Sequence, residues 1–224
     1  EDLNWEPDLK DIRGLVGPKT RMIVLCNPNN PTGALLSRSA RETVMEIARE
    51  HDAWVYADEV YRGAELDGEE TPSFWNPEDK VIICGGLSKA YALPGLRIGW
   101  LVAPSSFAER AWAAHDYTSI TAGILSNKIA ARVLQPEQRP AILTRCRGFL
   151  KRNLRVFSDW VDSHKSLFRF IPPKAGGMAF LRYAMDINST DLTTRLREEK
   201  SVLVIAGDCF GMDRYLRFGI GAEL

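Results

Sequence analysis

Short apolar runs alternate with amphipathic stretches along most of the chain. Asp8 to Val16 predicts a short, polar-fronted helix stopped by Gly17-Pro18. Met22 to Cys26 is a compact apolar run of strand length. It discharges into Asn27-Pro28-Asn29-Asn30-Pro31-Thr32-Gly33, the densest cluster of turn formers in the sequence. Ser37 then stands where a helix cap belongs, and Val44, Ile47 and Ala48 recur on one face up to about His51. Ala53 to Ala57 predicts the next strand, ending in Asp58-Glu59-Val60-Tyr61. After a polar loop, Val81-Ile82-Ile83-Cys84 enters Gly85-Gly86-Leu87-Ser88-Lys89, and a second apolar run, Ile98 to Val102, follows it. Both runs are short and bounded by glycine and proline, so both read as buried strands.

The strand, helix, strand order predicts an α/β sheet with mostly parallel strands. In such sheets the chemistry gathers beyond the carboxyl ends of the strands. Three of these ends carry, in turn, Asn30, Asp58 with Tyr61, and Lys89, which makes a common rim their expected meeting place. Downstream, helices are expected over 106–115, 122–134 and about 137–163, the last with Pro140 in its first turn. The stretch 153–164 is expected to carry the chain between domains, giving a partial large domain over 1–150 and a smaller C-terminal α+β domain over 151–224. In the second, strands near 168–171, 178–182, 202–205 and 215–218 accompany a helix over 190–200. Turns are expected at Pro172-Pro173 and Ala175-Gly176-Gly177.

Composition narrows the class. Hydrophobic residues make up 45% and charged residues 26% of 224, ordinary for a globular protein. Lys+Arg and Asp+Glu balance at 29 each, so the charge gives no reason to expect a nucleic acid or a membrane surface as partner. Cys26, Cys84, Cys146 and Cys209 are scattered, a pattern that suits buried thiols in a reducing compartment such as the cytoplasm. His51, His115 and His164 share no metal-ligand spacing, and no metal site is expected. No apolar run is long enough to span a bilayer, and no signal peptide is expected. The first residue is Glu1 rather than methionine, and the chain reads as a piece of a longer protein.

The candidate chemistry centres on Lys89. A lysine confined between buried strands must shed its charge or find a use for it. A desolvated lysine is a nucleophile for carbonyls, and pyridoxal phosphate is the commonest biological aldehyde that needs one. Taken alone, the stretch also allows a loop lysine that reaches solvent. Each other motif has a structural reading too: Asn27 to Gly33 as an elaborate turn, Asp58 as a turn cap, Arg97 and Arg217 as surface ion-pair partners. Those readings leave the order and combination unexplained.

The combination resembles the class I/II aminotransferases, fold-type I enzymes that use pyridoxal 5′-phosphate. The matching motifs are Asn27-Pro28-Asn29-Asn30-Pro31-Thr32-Gly33, Ala57-Asp58-Glu59-Val60-Tyr61, Ser88-Lys89 through Arg97-Ile98-Gly99, and Tyr215-Leu216-Arg217. The resemblance implies that Lys89 forms the Schiff base with the cofactor and then shuttles a proton between substrate and cofactor. It implies that Asp58 pairs with the pyridine nitrogen, and that Asn30 and Tyr61 donate to the 3′-oxygen. Arg97 with the Ser88 hydroxyl would anchor the phosphate, and Arg217 would hold the substrate α-carboxylate. The implied reaction moves an amino group between an α-amino acid and a 2-oxo acid, in a homodimer. β-Elimination, decarboxylation and cyclisation would use the same residues, and a non-catalytic fragment is a further alternative.

Two positions depart from the resemblance. Gly86 stands where many relatives carry a second serine, and Ala206 where proline is common. The resemblance also implies on the order of a hundred further residues upstream. These would hold a glycine-rich phosphate turn and an aromatic ring that stacks on the cofactor. A closing helix would follow Leu224. Arg182 and Tyr183 are possible lining for the substrate side-chain pocket, or strand residues facing solvent.

Overall fold

The computed structural model describes residues 4–222. Its first sheet has the order β1 (Met22–Cys26), β2 (Trp54–Asp58), β3 (Val81–Gly86), β4 (Gly99–Val102). β1, β2 and β3 run parallel, and β4 returns antiparallel to β3. The crossover from β1 to β2 is helix α2 (Arg38–Glu50), while α1 (Leu9–Leu15) precedes β1. Ser37 caps α2 by accepting from the Ala40 N–H, as its position predicts. Val44 and Ala48 of α2 pack on Val55, Ala57, Val81 and Ile83, covering one face of the sheet. The other face is open at its edge, where Val24 is 68% exposed.

The Ile98 to Val102 run does form a strand, but all four residues of β4 are exposed rather than buried. β4 is an edge strand with β3 as its single strand neighbour, so its apolar side chains have sheet on one side only. Two helices follow, α3 (Ser105–His115) and α4 (Ile124–Val133), and α3 buries none of its residues.

The long helix α5 (Arg139–Asp162) has Pro140 in its first turn, where a missing N–H costs nothing. Its Leu143, Cys146, Phe149 and Leu150 share a core with Ala64, Leu87 and Tyr91. Its second half carries Phe157 and Trp160, which meet Phe170, Phe218 and Phe168 of the second sheet. That sheet is wholly antiparallel, ordered β5 (Phe168–Phe170), β6 (Met178–Tyr183), β8 (Tyr215–Gly219), β7 (Ile205–Ala206), with α6 (Ser189–Lys200) between β6 and β7. The strand expected over 202–205 is therefore displaced and shortened. Ser201 closes α6 in a left-handed conformation, and the Val202 N–H bonds back to Leu196, so these residues serve the helix end.

Candidate active site

The parallel register sets Cys26, Asp58 and Cys84 level across β1, β2 and β3, so the turns that leave these strands begin on one rim. Beyond it lies a cleft of about 830 Å³. Asn30, Asp58, Tyr61, Ser88, Lys89 and Arg217 all line it. Arg217 comes from β8 of the second sheet, and its Nη1 donates to Asn30 Oδ1 at 3.1 Å.

Each wall is built locally. The Asn27–Gly33 turn folds on itself: the Asn29 carbonyl accepts from Gly33 N–H, and Asn29 Oδ1 accepts from the Thr32 hydroxyl at 2.8 Å. Gly33 has φ +68°, and a Cβ there would lie 2.3 Å from Pro173 Cβ. The Gly33 carbonyl accepts from both Lys174 and Ala175 N–H groups, which ties the turn to the strap that leads into β6. Asp58 Oδ1 accepts from the Val60 N–H at 3.0 Å, as a strand-end carboxylate turning the chain does. On the third turn, Leu87, Ala90 and Tyr91 are buried and Lys89 points out between them.

Lys89 is thus exposed along the cleft, not shut between strands as the flanking apolar runs suggest. β3 ends at Gly86, and three residues are enough to carry the lysine clear of the sheet. Arg97 is not brought into the cleft lining. It is exposed, with φ +54°, and its Nη1 donates to the Pro94 carbonyl at 3.0 Å. Neither Arg182 nor Tyr183 lines the cleft: Tyr183 is buried with its hydroxyl on the Ile187 carbonyl, and Arg182 is exposed on β6.

Sequence reasoning missed the α5 wall. Arg145, Cys146, Phe149 and Leu150 line the cleft together with Met178. The spacing of Cys146, Phe149 and Leu150 marks a helix face to be covered, which was the available signal. The electrostatics follow from burial and one carboxylate. Burial pushes the Tyr61 hydroxyl up from its ordinary value, the Cys26 thiol and Asp58 reinforce this, and the Arg217 guanidinium opposes it. Burial also pushes the Cys26 thiol up to about 11, with the nearby Asp58 adding to it. Both groups remain protonated near neutral pH, so Tyr61 presents a hydroxyl that can donate. Among the described residues, no group of three His, Cys, Asp or Glu side chains is placed to hold a metal ion.

The lining offers an amine, a carboxylate, a phenol, an amide and guanidinium groups in one cleft, a donor set that fits a guest carrying a carbonyl and an anionic group. The family described as "Aminotransferase class I and II" matches residues 1–224. The chain belongs to the class I and II aminotransferases. Within them it is 30% identical to capreomycidine synthase of Streptomyces vinaceus over 215 residues, 96% of this chain and 55% of that protein. It is 44% identical to glutamate-pyruvate aminotransferase AlaA of Escherichia coli (strain K12) over 104 residues, 46% of this chain and 26% of that one. A PLP-dependent aminotransferase from Streptococcus suis 89-1591 superposes with a TM-score of 0.90 at 36% identity, covering all of this chain and 58% of that one. The fold is therefore that of the PLP-dependent, fold-type I aminotransferases. The chain spans little more than half the length of the relatives it matches end to end. No helix among the described residues is long and apolar enough to cross a membrane.

Proposed function

We propose that the whole protein binds pyridoxal 5′-phosphate at this rim and transfers an amino group between an α-amino acid and a 2-oxo acid. The observation that carries the reading is the convergence of Asn30, Asp58, Tyr61, Ser88, Lys89 and Arg217 on a single cleft from three strand-end turns and a second sheet. When bound, the cofactor supplies a carbonyl for amino-group capture and an electron-withdrawing ring. Lys89 is the amine that would hold it covalently, and once the substrate's amino group takes its place the released side chain would move a proton at the substrate Cα. Asp58 keeps a positive charge at the ring nitrogen, since a carboxylate favours the protonated partner. Asn30 and Tyr61 donate to the ring oxygen. Arg217 holds the substrate carboxylate by the two-pronged geometry that guanidinium offers. Ser88 and Arg97 are assigned the phosphate, for which Arg97 must exchange the Pro94 carbonyl for phosphate oxygens.

A homodimer and a cytoplasmic setting belong to the same proposal, the second supported by four free thiols. One observation favours a second reading. The relative that matches 96% of the chain is named a synthase rather than an aminotransferase, so the same residues could serve another outcome, such as cyclisation, elimination or decarboxylation. The test is borohydride reduction of the cofactor-loaded whole protein, peptide mapping, and product analysis on a panel of amino acids with a 2-oxo acid acceptor. A pyridoxyl adduct on Lys89 and amino transfer are expected. An adduct on Lys128 or Lys151 instead would sink the site, and turnover without transfer would decide for the second reading.

A further inference from the structure

Four residues past Tyr61 lies a carboxylate that the chemistry above does not use. Glu65 is only 1% exposed, and its carboxylate accepts from the Gly63 N–H at 2.8 Å and the Thr71 N–H at 2.9 Å. Arg147 of α5 faces it, with Nη2 3.7 Å from Glu65 Oε2, and donates from Nε to the Gly63 carbonyl at 3.0 Å. Both polar groups of Gly63 are therefore held by charged side chains, one acidic and one basic. Gly63 itself has φ +104°, and a Cβ there would lie 3.1 Å from Leu143 of α5, so the peptide is pressed against the helix that clamps it. The segment is short: the Ala64 N–H bonds to the Tyr61 carbonyl at 2.9 Å, and the Gly176 N–H to the Ala64 carbonyl at 3.0 Å. On its other side the Tyr61 ring lies against Gly176, where an added Cβ would come within 3.3 Å of Tyr61 Cδ1.

A buried ion pair contributes little to stability compared with well-packed apolar residues, because desolvation offsets the attraction. What it does supply is direction: two charge-assisted hydrogen bonds fix the orientation of the two peptide units that flank the Gly63 Cα. We infer that Glu65 and Arg147 are positioning residues for Tyr61, setting where its hydroxyl enters the cleft. The inference rests on the proposed reading of Tyr61 as donor to the cofactor's ring oxygen. A donor there stabilises negative charge on that oxygen, and this would count most once the nitrogen that Lys89 contributes has lost its proton. A displaced hydroxyl therefore raises the pH at which that proton leaves. Asp58, Cys26 and Arg217 also act on Tyr61, and among the described residues none of the three hydrogen-bonds or ion-pairs with Glu65, Gly63 or Arg147.

The experiment is a pH titration of the visible absorbance of the whole, cofactor-loaded protein in wild type, Y61F, R147M and the double variant. Y61F is expected to raise the midpoint. R147M should move it the same way by about half a pH unit, roughly threefold in the ionisation constant. The double variant should fall close to Y61F alone, the signature of two residues acting through one hydroxyl. If R147M does not fold, E65Q keeps the shape, loses the charge and is read in the same way. A lowered melting temperature with an unmoved midpoint would overturn the inference, as would a shift that persists in full when Tyr61 is already Phe. A wild type with no visible band at all overturns the proposed function, and the inference with it. A normal band that ignores both clamp variants overturns the inference alone.

Discussion

The two walls of the cleft are held in opposite ways. On the Asn30 and Asp58–Tyr61 side, the functional groups themselves are tied: Asp58 to the Val60 N–H, Asn30 to Arg217, the Tyr61 ring against Gly176. On the Lys89 side the backbone is tied and the functional side chain is not. Leu87, Ala90 and Tyr91 are buried and the Leu93 N–H bonds to the Leu87 carbonyl, yet Lys89 is exposed. The difference fits the tasks proposed for each wall. Groups that stabilise charge on a ring gain most from fixed positions. An amine that must release one atom and reach another needs a fixed root and a free arm.

The largest effect should come from the free arm. Lys89→Ala is expected to reduce turnover by on the order of 10⁴-fold or more, measured by single-turnover absorbance. The same variant should shift unfolding free energy in urea by less than about 0.5 kcal/mol, because an exposed side chain is lost. A large stability loss would mean the lysine is structural and the contrast between the walls false. Next comes Arg217→Ala, which removes a charge-assisted partner and should cost about 2–5 kcal/mol in kcat/KM for amino and 2-oxo acids. Amines without a carboxylate should be nearly spared, and equal losses for both would assign Arg217 to structure alone.

A smaller effect tests the tied wall through its backbone. Gly33→Ala would place a methyl 2.3 Å from Pro173 Cβ and 2.7 Å from the Ala175 carbonyl oxygen, at a φ of +68°. It should destabilise by about 2–3 kcal/mol. Gly95→Ala on the other wall meets nothing within 4 Å and should stay within about 0.5 kcal/mol. Similar denaturant midpoints for the two would show that the turn is not under the constraint described.

The ion pair that joins the walls gives the pH dependence. Arg139 donates to both oxygens of Glu70 at 2.6 and 2.7 Å and, through Nε, to the Tyr91 hydroxyl at 2.9 Å. The Arg139 guanidinium holds the Glu70 carboxyl below its usual range. A depressed carboxyl contributes stability above its unfolded value, about 4.3, and loses it as pH falls through the folded one. Glu70→Gln should therefore cost about 1 kcal/mol at pH 7, with the gap to wild type closing in acid. A gap that is constant from pH 7 to pH 3 in urea titrations would exclude the pair as its source.

Much of this was legible because its causes are local. Turn formers at Asn27–Gly33, a serine before an amphipathic run and strand-length apolar runs each act within a few residues, and the parallel rim follows from their order. The exposure of β4 was not legible: Trp100, Leu101 and Val102 carry the composition of a core strand, and burial depends on what stacks upon it. The position of Lys89 misled for the same reason. Arg217 meets Asn30 across 187 residues, a distance that no local rule spans; the resemblance implied that both serve one site but not that they touch. Glu65 and Arg147 gave no motif at all, since an acid in a loop and a base on a helix are ordinary until the fold buries them.

Helix α5 has a mechanical consequence. Its 24 residues span roughly 36 Å, clamped at one end in the core around Leu87 and at the other against the aromatic rings of the second sheet. It is a beam built in at both ends, so a load on the second sheet is carried through its mid-span. Gly148 stands close to that point, and a methyl there would meet only Arg152 Nη1, at 3.7 Å. Gly148→Ala should stiffen the span by about 0.5–1 kcal/mol of helix preference, read as slower amide exchange in α5. Cys146 and Phe149, on either side of it, line the cleft, so the stiffness of this one turn bears directly on the cleft wall.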